Sequence, residues 1–214
     1  MLSEVIHCGH VALPEFTGTR VMMMPFALDA PSDSLPATLT QWKPALESIV
    51  THSKVKKGVG YLTIDEAHVK AGTTHRRPGL HVDGIGPNGT IGGWGGGGGS
   101  WGQNGMLVAA SHVGCRAWEK NFDGQAVSNG DCAHLRDQCC EEDQIVMGAG
   151  EVYWCGPLAV HESLTMTADC ARQFVRVSMP SDAPWYEGYT VNPLGIQPTG
   201  PIHAARRHFM EYRP

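Results

Sequence analysis

A mainly-β barrel or sandwich is the fold class this sequence predicts, and three observations predict it. Short runs rich in β-branched and aromatic residues recur along the chain, most of them separated by glycine or proline. Apolar residues take helical spacing in one stretch near the N-terminus. Size and composition agree: 214 residues, 42% hydrophobic and 17% charged, suit one β-rich domain with a sizeable core. Residues 1–214 are therefore expected to form a single domain.

Taken in order, Arg20 to Leu28 reads as a strand. A helical segment follows between about Ser34 and His52. Ser34 with Pro36 marks its start, and Leu39, Trp42, Leu46, Ile49 and Val50 recur at helical spacing. Pro44 is expected to split it, since proline lacks the amide proton a helix interior uses. The apolar stripe is expected on the outside of the sheet. Strands then dominate, at about Gly58 to Asp65, Leu80 to Asp83, Met106 to Ser111, Cys115 to Trp118, Ile145 to Met147, Val152 to Cys155, Leu158 to His161 and Arg172 to Met179.

The chemistry gathers at three of these strands. In Gly79-Leu80-His81-Val82-Asp83-Gly84, His81 and Asp83 share a face, because side chains alternate with period 2. His161 closes a later strand that follows the turn Gly156-Pro157. Two imidazoles and one carboxylate on one face of an octahedral metal, with other positions open, form the ligand set of non-haem Fe(II) oxygenases. Arg172 to Met179 alternates strictly, placing Arg172, Phe174, Arg176 and Ser178 on one face and Gln173, Val175, Val177 and Met179 on the other. A solvated edge strand would also accommodate such a face, but Phe174 between two guanidiniums favours a bound anion.

A His-x-Asp tripeptide carries little by itself. In its order and strand context, over about residues 57 to 190, the chain resembles the 2-oxoglutarate/Fe(II)-dependent dioxygenase superfamily: His-x-Asp, a distant His, then an Arg roughly ten to fifteen residues on. The resemblance implies a double-stranded β-helix, a jelly-roll or cupin-like barrel with iron at one mouth. It implies that His81, Asp83 and His161 bind Fe(II) and are catalytic. Arg172 would pair with the distal carboxylate of 2-oxoglutarate, and Arg176 with Ser178 carries the family's Arg-x-Ser pattern. Spacing leaves open which arginine meets which carboxylate. A guanidinium suits either task, its fixed fork meeting a carboxylate bidentately. The implied reaction consumes O2, decarboxylates 2-oxoglutarate to succinate and oxidises a small-molecule substrate, hydroxylation being the default. Asp83 disfavours halogenation, which needs the carboxylate position vacated for halide. Two other readings use the same barrel: a metal-dependent cupin enzyme without 2-oxoglutarate, whose Arg172 and Arg176 would point away from the metal, and a non-catalytic binding module.

Gly84 to Gly102 is a glycine-rich loop leaving the candidate metal strand. Its start matches G-x-G-x-x-G literally, but no helix can follow in Thr90-Ile91-Gly92-Gly93-Trp94-Gly95, so a dinucleotide fingerprint is rejected. The loop reads either as a lid, with Trp94 or Trp101 covering substrate, or as a passive insertion. Asp65-Glu66-Ala67-His68 is like a helicase box, yet no P-loop accompanies it.

A net charge of -5 and pI near 6.1 give no long-range attraction to nucleic acid or anionic membrane. Arg76-Arg77 and Arg206-Arg207 remain local contacts for an acidic substrate. No apolar run approaches the ~20 residues needed to span a bilayer, and Met1-Leu2-Ser3-Glu4 lacks a signal-peptide start, so a cytoplasmic location is expected. Asn88-Gly89-Thr90 then reads as an inert sequon. Seven cysteines without a C-x-x-C pair are expected as free thiols. A zinc site of Cys132, His134, Cys139 and Cys140 would have the right ligand types, but the spacing fits no established knuckle.

Overall fold

The computed structural model describes residues 1–84, 104–127, 130–182 and 184–204. The Gly-rich segment beyond Gly84, with Trp94 and Trp101 and the lid reading attached to them, lies outside these residues, as do Arg206 and Arg207.

The described chain is mainly β. Its strands are β1 (Leu2–Ser3), β2 (Val5–His10), β3 (Arg20–Ala27), β4 (Val59–Val69), β5 (Met106–Ala110), β6 (Cys115–Trp118), β7 (Lys120–Asn121), β8 (Gln144–Val146), β9 (Glu151–Cys155), β10 (Val160–Ser163), β11 (Cys170–Ser178), β12 (Trp185–Tyr186) and β13 (Ile202–His203). A large sheet has the order β2-β9-β5-β11-β4-β3 and is antiparallel throughout. A small antiparallel sheet has the order β10-β6-β8, and His81 extends its β10 edge by pairing with His161. From β4 onward the chain passes back and forth between the two sheets.

The period-2 pattern explains how the sheets stack. On β5, Met106 and Val108 face the small sheet, where they meet Tyr153 and Cys155 of β9 and Ala117, Met147 and Ala159 from the other side. Leu107 and Ala109 face outward. On β11, Val175 and Val177 join that outer cluster, so Phe174 and Arg176 turn between the sheets. β11 lies between β5 and β4, which removes the edge-strand reading of its arginines.

The outer face is covered as the helical spacing predicts. A 3-10 turn (Ala37–Trp42) runs into helix α1 (Lys43–Thr51), and Leu39, Trp42, Leu46, Ile49 and Val50 all pack against the large sheet. Burying each contributes about 1.5–3 kcal/mol. Pro44 divides the segment by sitting in the first turn of α1, where its missing amide costs nothing. Ser34 does not cap this segment. Pro36 occupies the cap position, and the Ser34 hydroxyl instead donates to the Pro31 carbonyl and accepts from the Ala27 amide.

Two further expectations change, and one strand was missed. The strand read at Leu80 to Asp83 is not a ladder strand: its pairing is confined to His81, which bridges Asp131 on one side and His161 on the other. His161 is the second residue of β10 rather than the end of a strand: Pro157 and Leu158 are spent in the turn, and pairing with β6 begins at Val160. β2 was not legible, since Val-Ile-His-Cys-Gly-His is a polar, glycine-interrupted edge.

Candidate metal centre and anion pocket

His81 and His161 exchange backbone hydrogen bonds, each amide donating to the other's carbonyl at 2.9 Å. They are a directly opposed antiparallel pair, so their side chains leave the same face, and the rings lie 4.3 Å apart between centroids. Asp83, two residues on from His81, turns to the same side. Its Oδ1 is 4.0 Å from His81 Nε2 and its Oδ2 is 3.9 Å from His161 Nε2. The three ligand atoms lie within 4.8 Å of one another. Gly84 lets the chain leave this corner: a Cβ there would stand 2.2 Å from the Pro157 carbonyl oxygen.

The hydrogen-bond partners of the rings suit a cation. His81 Nδ1 lies 2.7 Å from the Gly79 carbonyl and His161 Nδ1 lies 2.9 Å from that of Ala159. A carbonyl only accepts, so each Nδ1 carries the proton and each Nε2 lone pair is left for the centre. Burial, reinforced by neighbouring His161, pushes the His81 imidazolium down to about 3, which keeps the ring neutral. Burial would raise the Asp83 carboxyl, but His161, Arg176 and His81 outweigh it and hold it at about 2. Two imidazoles, each with Nε2 facing the centre, and one carboxylate therefore converge, which fits an Fe(II) ligand set.

Beside the triad, a pocket between the sheets is walled by Val108, Met147 and Phe174 and reaches Asp83, His161, Arg172 and Arg176. Both guanidiniums are deeply buried, Arg172 at 2% and Arg176 at 3% exposure. Their situations differ. Arg176 Nη1 donates to Asp83 Oδ2 at 3.3 Å, and Nη2 donates to Met23 Sδ at 3.5 Å. Arg172 donates through Nη1 to His75 Nδ1 at 2.9 Å and through Nε to the His112 carbonyl at 3.4 Å. No carboxylate oxygen among the described residues lies within 4.0 Å of Arg172. Burial lowers its pKa from the ordinary arginine value. A buried guanidinium without a counter-anion is costly, and a ligand carboxylate would relieve that cost. Ser178 shares the face of Arg172 and Arg176 but lies outside the pocket wall, opposite Tyr61 and Met106.

Sequence reasoning missed the support behind Arg172. His75 Nε2 stands 3.6 Å from Asp65 Oδ2, and Asp65 is also paired with Arg76 and with Arg20 at 3.1 Å. Arg76 is thus engaged by Asp65 and lies over the Phe174 ring. The signal was a carboxylate inside the apolar run Tyr-Leu-Thr-Ile-Asp. Met23, at the β3 irregularity with φ 48°, gave none.

All seven cysteines are free, and Cys132, His134, Cys139 and Cys140 do not gather into a ligand cluster. Among the described residues, no helix is long and apolar enough to cross a membrane. Comparison of the chain with protein-family models, with curated proteins and with solved structures finds no match.

Proposed function

We propose that this chain is an Fe(II)/2-oxoglutarate-dependent oxygenase acting on a small molecule, built on a double-stranded β-helix. One observation carries the reading. A His, His, carboxylate triad adjoins a pocket holding a buried arginine that has no carboxylate partner among the described residues. The strand order supports the fold: β4, β5, β9 and β11 fall in one sheet, and His81, β6, β8 and β10 in the other. In a double-stranded β-helix the chain alternates between two facing sheets in this way.

His81 Nε2, His161 Nε2 and the Asp83 carboxylate would hold the ion. Fe(II), when bound, supplies the activation of O2 that is coupled to oxidation of 2-oxoglutarate to succinate and CO2. The side chains do the rest. Arg176 fixes the Asp83 carboxylate through Oδ2. Arg172, steadied by His75, takes the distal carboxylate of 2-oxoglutarate, and Val108, Met147 and Phe174 keep water from the reacting face. The inward direction of both arginines favours this reading over a cupin that does without 2-oxoglutarate.

The test is succinate formation from 2-oxoglutarate with Fe(II) and O2, which proceeds slowly even without the prime substrate. Wild type should form succinate, and His81→Ala should not while keeping its far-ultraviolet circular dichroism. Metal binding at this centre by a His81→Ala/Asp83→Ala/His161→Ala variant, or succinate formation undiminished by His81→Ala, would sink the assignment.

A further inference from the structure

A second group of metal-ligand side chains lies on the edge of the large sheet, and it stands independently of the proposed activity. His7, His10 and Glu151 bring three ligand atoms within 4.8 Å of one another. Histidines three apart on a regular strand point to opposite faces. Here β2 is irregular between His7 and Gly9, so His7 pairs with Tyr153 and His10 with Glu151. Those partners are two residues apart on β9, so both imidazoles and the carboxylate leave one face. Gly9, at φ 148°, makes the irregularity possible. Cys8 goes the other way, into the cluster under α1, and is not a ligand.

The carboxylate is already held. Glu151 Oε2 accepts from the Tyr153 hydroxyl and from the Gly148 amide at 3.2 Å, and it stands 4.0 Å from His7 Nε2. The ring nitrogens of His10 have no hydrogen-bond partner among the described residues, and both histidines are open to solvent. Bonds of about 2.0–2.2 Å set ligand atoms about 3.0–3.5 Å apart. Closing on an ion then needs about 1 Å of side-chain rotation, which exposed imidazoles can make. Glu151 and Tyr153 also line the pocket that reaches Asp83 and Arg172, so the cluster sits on that pocket's rim.

We propose that His7, His10 and Glu151 form a second divalent-cation site at the pocket rim. Two imidazoles with one carboxylate select borderline cations such as Zn(II), Ni(II) or Cu(II) over Mg(II) or Ca(II). Tyr153 orients the carboxylate, a supporting role whose loss typically weakens a metal about 10- to 100-fold.

Equilibrium dialysis against Zn(II) tests it on the full chain. Wild type should bind two equivalents, His7→Ala/His10→Ala one, and His81→Ala/His161→Ala one. Tyr153→Phe in the last background should bind at least about 10-fold more weakly. As a second readout, Cu(II) bound to the His81→Ala/His161→Ala protein should show hyperfine coupling to two imidazole nitrogens, lost on adding His7→Ala and His10→Ala. A single wild-type equivalent abolished by His7→Ala/His10→Ala supports this site and counts against the centre at His81. Unchanged stoichiometry in His7→Ala/His10→Ala, or a Cu(II) spectrum indifferent to those substitutions, overturns the proposal.

Discussion

Replacing Arg172 with Met removes a buried cation while keeping most of its volume, and it should change the protein's preference between two 2-oxo acids. Nη1 is engaged by His75 and Nε makes only a long contact to the His112 carbonyl, while Nη2 has no partner among the described residues. A ligand carboxylate thus gains about one charge-assisted hydrogen bond, worth about 1.5–3 kcal/mol. At about 1.4 kcal/mol per tenfold, that is a preference of about 10- to 150-fold. 2-Oxobutanoate carries the same chelating end as 2-oxoglutarate but no distal carboxylate. Calorimetric titration with Mn(II) as a redox-silent stand-in should show wild type favouring 2-oxoglutarate by that factor, and Arg172→Met binding the two acids about equally. Comparing the two ligands within each protein cancels any general loss of folding or of metal. A preference that survives in Arg172→Met refutes the anchoring role. If Arg176→Met removes it instead, the two arginines have exchanged roles.

Two further outcomes follow from the same neighbourhood. A Cβ at Gly114 would stand 2.7 Å from Arg172 Nε, so Gly114→Ala should displace the guanidinium and reduce the 2-oxoglutarate preference about 10-fold in the same titration, with little change for 2-oxobutanoate. Stability should fall on acidification from about pH 6.5, because burial lowers the pKa of both His75 and His81 below the ordinary 6.5, the latter to about 3. In that window the unfolded chain takes up protons that the folded chain refuses, so stability rises with pH, by up to about 1.4 kcal/mol per pH unit for each histidine. Chemical denaturation of the metal-free protein at pH 4.5 to 7.5 should show this slope, and His75→Gln should lessen it; a slope equal to wild type would remove His75 from the account.

The sequence by itself determined what depends on spacing along one element. The strict alternation in Arg172 to Met179 put both guanidiniums on one face of β11 and Val175 and Val177 on the other, since a strand's period is set by its own backbone. The same holds for the stripe from Leu39 to Val50, whose helical spacing chose the face that meets the sheet, whereas His81 and Asp83 share a side with no strand spanning them. Where the spacing was interrupted, as by Gly9 in β2, local pattern failed: a bulge has no period, and it alone brings His7 and His10 to one side. Only the tertiary structure decided how these faces meet. His161 lies opposite His81 because β10 takes its register from β6, and Asp83 reaches Arg176 across 93 residues of chain because the two sheets close over a shared core. That closure also chose between the arginines. It seated Asp83 against Arg176 and left Arg172 with His75 and no carboxylate within 4.0 Å among the described residues, a difference that two guanidiniums four positions apart on one strand do not carry in their sequence.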